Sequence, residues 1–231
     1  MKYGIIGAMA LETKLLIERM ENSNSNVIAG MTFHEGKIND QQAVVVTSGV
    51  GKVNAASCAQ ILITHFGVQK LINTGVSGAI HEDLDVGDIV ISIDCIEHDF
   101  DVTAFGYKFG VIPSFGDSAF IANQALIESA YEAGKAEVLD HKIFKGRVVS
   151  GDQFVSSGER KAFLKETFDA VTTEMEGAAI AHVAVMNQIP FVVIRSISDK
   201  ADGSANVIYE EFVLVAAKHS ANIVLKMLGD Q

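Results

Sequence analysis

Proline and cysteine occur only twice each in this chain, arginine only four times, and lysine is scattered in single copies. Cys58 and Cys95 lie far apart, with no CxxC spacing and no neighbouring histidine pair, which excludes a disulfide framework and a zinc site and leaves buried free thiols. With only Pro113 and Pro190 as breakers, and no repeat, linker or low-complexity tract, the 231 residues read as one domain spanning 1–231. The formal net charge is -11, and no basic stripe exists to track phosphates, so nucleic acid is excluded as a partner. No segment approaches the ~20 uninterrupted apolar residues that span a bilayer, and the apolar part of "MKYGIIGAMALETK" is too short for a secretory signal. The expectation is a cytoplasmic protein with no membrane partner.

What the chain does have is alternation. Tyr3 to Ile6 is a short apolar run broken at Gly7, after which Leu11, Leu15 and Leu16 recur at helical spacing as far as Arg19. Met31 to Lys37 and Ala43 to Thr47 flank the turn-prone "INDQQ" as a β-hairpin. A helix from about Val53 to Phe66 leads into a strand at Leu71 to Asn73, expected to end in a turn containing Gly75 and Gly78. After a strand at Ile89 to Ile93, residues 98–117 show neither period and read as a long loop rich in aromatics. Helices near Asn123 to Glu132, Glu159 to Glu166, Ala178 to Met186 and Tyr209 to Met227 then alternate with strands near Val148, Ala170 to Glu174 and Phe191 to Ile197. This predicts an α/β fold, a single domain with a central mixed, largely parallel β-sheet flanked by helices. Ligands in such sheets bind beyond the carboxyl ends of the strands.

Several familiar motifs fail at those ends. "TSGVGKVN" has Val46 and Val53 where a Walker A loop needs glycine and Ser or Thr, and "GIIGAM" is one glycine short of a dinucleotide fingerprint. His98, Asp99 and Asp101 are metal ligands by type, but three polar residues in one loop more often cap turns. Met9, Met20, Met175 and Met186 read as core filler, although Met9 and Met175 fall at strand ends. The acidic residues carry more. Glu12, Glu174, Glu176 and Asp199 all fall at or just past strand ends, with Arg195 at the same edge. Helix capping or turn formation accounts for any one of them; four together point to carboxylates held over an apolar sheet, where split pKa values suit an acid and a base.

The ordered segments "GIIGAM", "SGVGKVNAA", "NTGVSGA", "VGDIV", "HDFDVTAFGY", "VSGDQF", "EMEGAAIAHVA" and "PFVVIRSISDKAD", with Glu12, cover nearly the whole chain. Their order resembles that of the bacterial 5'-methylthioadenosine/S-adenosylhomocysteine nucleosidases, within the purine nucleoside phosphorylase and nucleosidase superfamily. The resemblance implies cofactor-free and metal-free hydrolysis of the N-glycosidic bond in methionine salvage, with 5'-deoxyadenosine as a further substrate. By the same resemblance Asp199 protonates adenine N7 and Glu12 activates water. Glu176 accepts the ribose 2'- and 3'-hydroxyls, Met175 packs on the sugar, Glu174 supports that edge, and Arg195 fixes the ribose and its acidic partner. Phe154 stacks on adenine, the main chain of Val155 and Ser198 reads its edge, and Val76, Ser77 and Gly78 belong to the binding loop. Met9, Val50 and Tyr209 form the apolar side near the thioether, while Val102, Phe105 and Pro113 reach across a homodimer to close the neighbouring 5' end. Val76, Ser77, Gly177 and Tyr209 depart from the residues usual in these nucleosidases, which bears on substrate preference.

Two rivals remain at this level. A phosphorylase of the same superfamily needs cations for its nucleophile, and of the four arginines, Arg19, Arg147, Arg160 and Arg195, none lies on "GAMALE" or "SGVGKV"; Lys52 is the one cation placed to serve. A silent nucleoside-binding protein is the other, whose mark would be a lost acid or base.

Overall fold

Two strands of this protein are buried almost without interruption, and that pattern requires helices or further strands on both of their faces. They are Lys70–Ala79 and Phe191–Asp199. In the computed structural model, which describes every residue except 114, 117, 203, 204, 230 and 231 and the side chains of 206–208 and 211, the elements follow in chain order. They are β1 (Lys2–Gly7), α1 (Ala10–Glu18), β2 (Glu21–Ile28), β3 (Met31–Ile38), β4 (Gln41–Thr47), α2 (Lys52–Thr64), β5 (Lys70–Ala79) and β6 (Ile89–Glu97). After a long loop come β7 (Phe120–Ile121), α3 (Gln124–Glu137), β8 (Ile143–Ser150), α4 (Gly158–Phe168), β9 (Thr172–Glu174), α5 (Gly177–Met186), β10 (Phe191–Asp199) and α6 (Ala205–Gly229).

The sheet is mixed. β1 pairs in parallel with β4 and β5, and β5 pairs in parallel with β10. β10 also meets β6 antiparallel, and the path β6–β8–β9 returns to β5, so five strands close on themselves while β1, β4, β3 and β2 extend as a wing. Closure removes the open edges that β5 and β10 would otherwise present. The β3–β4 hairpin turns at Asn39 and Asp40, both at positive φ (46° and 63°), the combination that matches the twist of the paired strands.

Helices α1, α3 and α6 pack together on the sheet as one group, α2 and α5 as another. The Phe212–Gly229 part of α6 is apolar and long enough to cross a membrane by length and composition, but half of it is buried in the fold. Ala216, Ala217, Ala221, Val224 and Leu228 are withdrawn from solvent, which gives that apolar face a core partner.

Three elements differ from the sequence reading. β2 is polar and exposed along most of its length, because an edge strand needs one hydrogen-bonded neighbour and no apolar face. β7 has only two residues and no period to read. The turn expected at Gly75 and Gly78 does not form; β5 runs straight through both to Ala79. Gly75 lies opposite Arg195 in the β5–β10 register, and a Cβ there would collide with the Arg195 guanidinium and the Glu12 carboxylate. That glycine serves close approach instead of a bend.

Candidate active site

The carboxyl ends of β1, β4, β5, β8, β9 and β10 surround a cavity of about 240 Å³. Its lining includes Glu12, Asp199, Met9, Val50, Val76, Ser77, Gly78, Phe154, Val155, Glu174, Met175, Glu176, Ser198 and Tyr209. Ala8, Gln153 and Thr173 also line it and were not singled out from the sequence. Arg195 stands behind the lining, fully buried.

Glu12 is positioned by three main-chain donors. Its Oε2 accepts the Ala8 and Met9 N–H groups at 2.7 and 2.9 Å, which caps α1, and its Oε1 accepts the Val76 N–H at 3.0 Å. Capping is therefore real, but the third bond ties the same carboxylate to β5 and aims it into the cavity wall. Burial raises its pKa, against the opposing pull of Arg195 and the three N–H donors. Oε1 keeps one lone pair free of these donors.

Glu174 is held by Arg195 Nη2, by Ser150 Oγ and by the N–H groups of Glu176 and Gly177 at the start of α5. Arg195 Nη2 also donates to Asn73, while its Nη1 and Nε have no hydrogen-bond partner among the described residues. Glu176 accepts the Gly51 N–H on Oε1 at 2.8 Å and has Oε2 3.8 Å from Arg195. One guanidinium thus faces three buried carboxylates, and full ionisation would leave uncompensated negative charge in the interior. Glu176 absorbs the conflict: burial and the nearby Glu174 push its pKa to about 7, with Arg195 opposing.

A stability consequence follows with a definite sign. Glu176 binds its proton more tightly in the fold, at about 7 against 4.5, so its contribution is full below 4.5 and lost as pH rises through about 7. The loss is on the order of 3 kcal/mol by linkage. Glu176→Gln, which keeps an acceptor for Gly51, should melt higher than the parent at pH 8 and converge with it near pH 5. A lower melting temperature at both pH values contradicts this.

Asp199 sits across the cavity. Its Oδ1 accepts the Ala201 N–H at 2.8 Å and its Oδ2 the Ser198 hydroxyl at 2.9 Å, while burial raises its pKa against both bonds. Phe154 is half exposed at the rim, edge-on to Tyr209 with ring centroids 5.8 Å apart, and the Tyr209 hydroxyl donates to Met9 Sδ at 3.2 Å. These rings and thioethers make an apolar wall facing an acidic floor.

Val102, Phe105 and Pro113 do not reach this cavity. They lie on the loop after β6, where Phe105 ends a single 3-10 turn and is 81% exposed. Lys52 is also absent from the lining; its ammonium binds Glu97 at 2.9 Å and Asp99 at 2.7 Å. The loop polar residues diverge: His98 meets Arg160, Asp99 holds Lys52, and Asp101 caps a turn through Thr103. Among the described residues no group of three or more such side chains could hold a metal ion.

An α/β sheet with a cavity of carboxylates and aromatics at its strand ends defines the class, and the sequence model of the phosphorylase superfamily matches residues 2–229. The 5'-methylthioadenosine/S-adenosylhomocysteine nucleosidase of Geobacillus kaustophilus is 43% identical over 99% of this chain and 97% of its own. A crystal structure of the nucleosidase of that name from Neisseria meningitidis, in complex with methylthio-immucillin-A, superposes with a TM-score of 0.96 at 38% identity, covering 100% and 99% of the two chains. The futalosine hydrolase of Helicobacter pylori is also similar, with a TM-score of 0.93 and 35% identity over 100% and 98%. The chain belongs to the 5'-methylthioadenosine/S-adenosylhomocysteine nucleosidase family of the phosphorylase superfamily.

Proposed function

We propose that the protein hydrolyses the N-glycosidic bond of 5'-methylthioadenosine and S-adenosylhomocysteine, and of 5'-deoxyadenosine, releasing adenine and the sugar. The observation that carries this reading is the placement of Glu12, Glu176 and Asp199 around one cavity with no cationic side chain in its lining among the described residues. A phosphate nucleophile would meet three buried carboxylates there, against which the single Arg195 guanidinium is already set. Lys52, the one cation considered for that task, is occupied by Glu97 and Asp99. Water carries no charge and suits the same surroundings.

Cleavage leaves cation-like charge on the ribose and negative charge on the purine. Asp199, whose pKa burial raises, donates a proton to adenine N7, and the Ser198 hydroxyl and Ala201 N–H stabilise the carboxylate that remains. Glu12 takes a proton from the attacking water through the free lone pair on Oε1, and Arg195 behind it supports the negative form. Glu176 presents two oxygens to the vicinal ribose hydroxyls, with Gly51 fixing their orientation. Phe154 stacks on adenine, Met175 packs on the sugar, and Met9, Val50, Val76 and Tyr209 face the 5' substituent. Adenine release from these nucleosides, with the sugar product identified, tests the reading.

A homodimer completes it. Phe105 is exposed on its loop, and Val53, Ile121 and Met186 are exposed apolar residues on α2, β7 and α5. Burying such residues against a second copy would bring Val102, Phe105 and Pro113 to the neighbouring 5' end. Sedimentation velocity should find a dimer at micromolar concentration; a monomer there contradicts it. A cytoplasmic role in methionine salvage belongs to the same reading.

A further inference from the structure

We propose that Lys52 is a positioning residue, which locks three separate segments of the site around one ammonium group. The inference rests on the hydrolytic reading above and assigns a task to a residue outside the cavity.

Lys52 opens α2, one residue after Gly51, whose N–H holds Glu176. The Lys52 N–H donates to Asp152 Oδ1 at 2.8 Å, and the Asp152 N–H donates to Asp99 Oδ2 at 2.9 Å. The Lys52 ammonium closes the circuit by donating to Asp99 Oδ1 at 2.7 Å and to Glu97 Oε2 at 2.9 Å. Asp152 lies two residues before Phe154, and Asp99 lies three before Val102, so the circuit joins the Glu176 anchor, the Phe154 loop and the root of the aromatic loop.

The other Glu97 oxygen extends it. His182 Nδ1 is 2.9 Å from Glu97 Oε1, and its ring stacks on Phe120 and meets Phe115 edge-on, with centroids 4.6 and 4.5 Å away. Both ends of the aromatic loop are therefore referred to the same charge. The Lys52, Glu97 and Asp99 side chains are largely withdrawn from solvent, which strengthens these bonds and makes their loss costly. No group in the circuit touches the cavity, so its effect must pass through the placement of Glu176 and Phe154.

The test compares Lys52→Met with Arg147→Met. Arg147 is a matched control, because it makes a two-pronged pair with Asp94 at 2.8 and 2.7 Å between β6 and β8, away from the cavity. Both variants should lose thermal stability. Lys52→Met alone should lose about 10- to 100-fold in kcat/KM for methylthioadenosine, the scale of an ångström-level misplacement, and about tenfold in adenine affinity by calorimetry. Asp99→Asn should reproduce the loss, the double variant should fall short of the product of the two, and Lys52→Arg should recover part of it. Should Lys52→Met not fold, Asp99→Asn carries the same comparison.

Unchanged kinetics and adenine affinity in folded Lys52→Met overturn the proposal, as does an equal loss in Arg147→Met. If the parent protein releases no adenine from methylthioadenosine, the hydrolytic reading fails. Adenine affinity then decides the positioning role by itself.

Discussion

Asp199→Asn is expected to lower kcat for adenine release by about 10²- to 10⁴-fold, the usual share of a general acid, with KM within a few-fold of the parent. The asparagine amide can still hydrogen-bond to adenine N7 but cannot deliver a proton to it. Its carbonyl oxygen can still accept from Ala201, as Oδ1 does now. The fold should suffer little, because the Ser198 hydroxyl that now donates to Oδ2 at 2.9 Å can turn to the Ser77 carbonyl 3.3 Å away and accept from the new amide. Calorimetric binding of a non-hydrolysed nucleoside analogue should therefore survive. A kcat within threefold of the parent would remove Asp199 from the role of acid.

Glu12→Gln should lose activity on the same scale, about 10²- to 10⁴-fold, because an amide cannot accept the proton of the attacking water. Its stability should differ from that of Asp199→Asn. Glu12 accepts three main-chain N–H groups with both oxygens, and a glutamine has only one oxygen to offer. If that oxygen keeps Ala8 and Met9, the amide nitrogen faces the Val76 N–H, leaving donor against donor in a buried site. The cost is about 1–3 kcal/mol, and Arg195 also loses a nearby counter-charge. Activity and melting temperature should fall together in Glu12→Gln, while in Asp199→Asn activity falls alone. Full activity in Glu12→Gln contradicts its role as base; full stability contradicts the reading of its hydrogen bonds.

The separation between what the sequence reveals and what it hides is physical. Strands β1 and β10 are apolar runs, and Glu12 and Asp199 stand out because they come at or soon after the ends of those runs. Ser150 and Asn73 are invisible in this way, because each acts through register. Ser150 lies beside Glu174 only because β8 pairs with β9, and Arg195 lies over Gly75 only because β10 pairs with β5. Periodicity along one strand carries no information about which residue stands across from it. Gly75 misleads for the same reason: along the chain it looks like a breaker, while across the sheet it leaves room for two charged groups. Phe105 is the opposite case, an aromatic legible by type that the single chain leaves exposed and outside the cavity.

The acidic cavity also explains a tension between stability and use. Glu176 would stabilise the fold more as an amide at alkaline pH, yet the role proposed for it at a ribose diol calls for two acceptor oxygens. The structure retains the ionisable group and supports it with Gly51 and Arg195.

The most direct measurement is adenine release from methylthioadenosine, with and without inorganic phosphate, with the sugar product identified. The expected result is free methylthioribose at a rate independent of phosphate. A phosphorylated sugar formed at a phosphate-dependent rate would contradict the account and require a new role for Glu12.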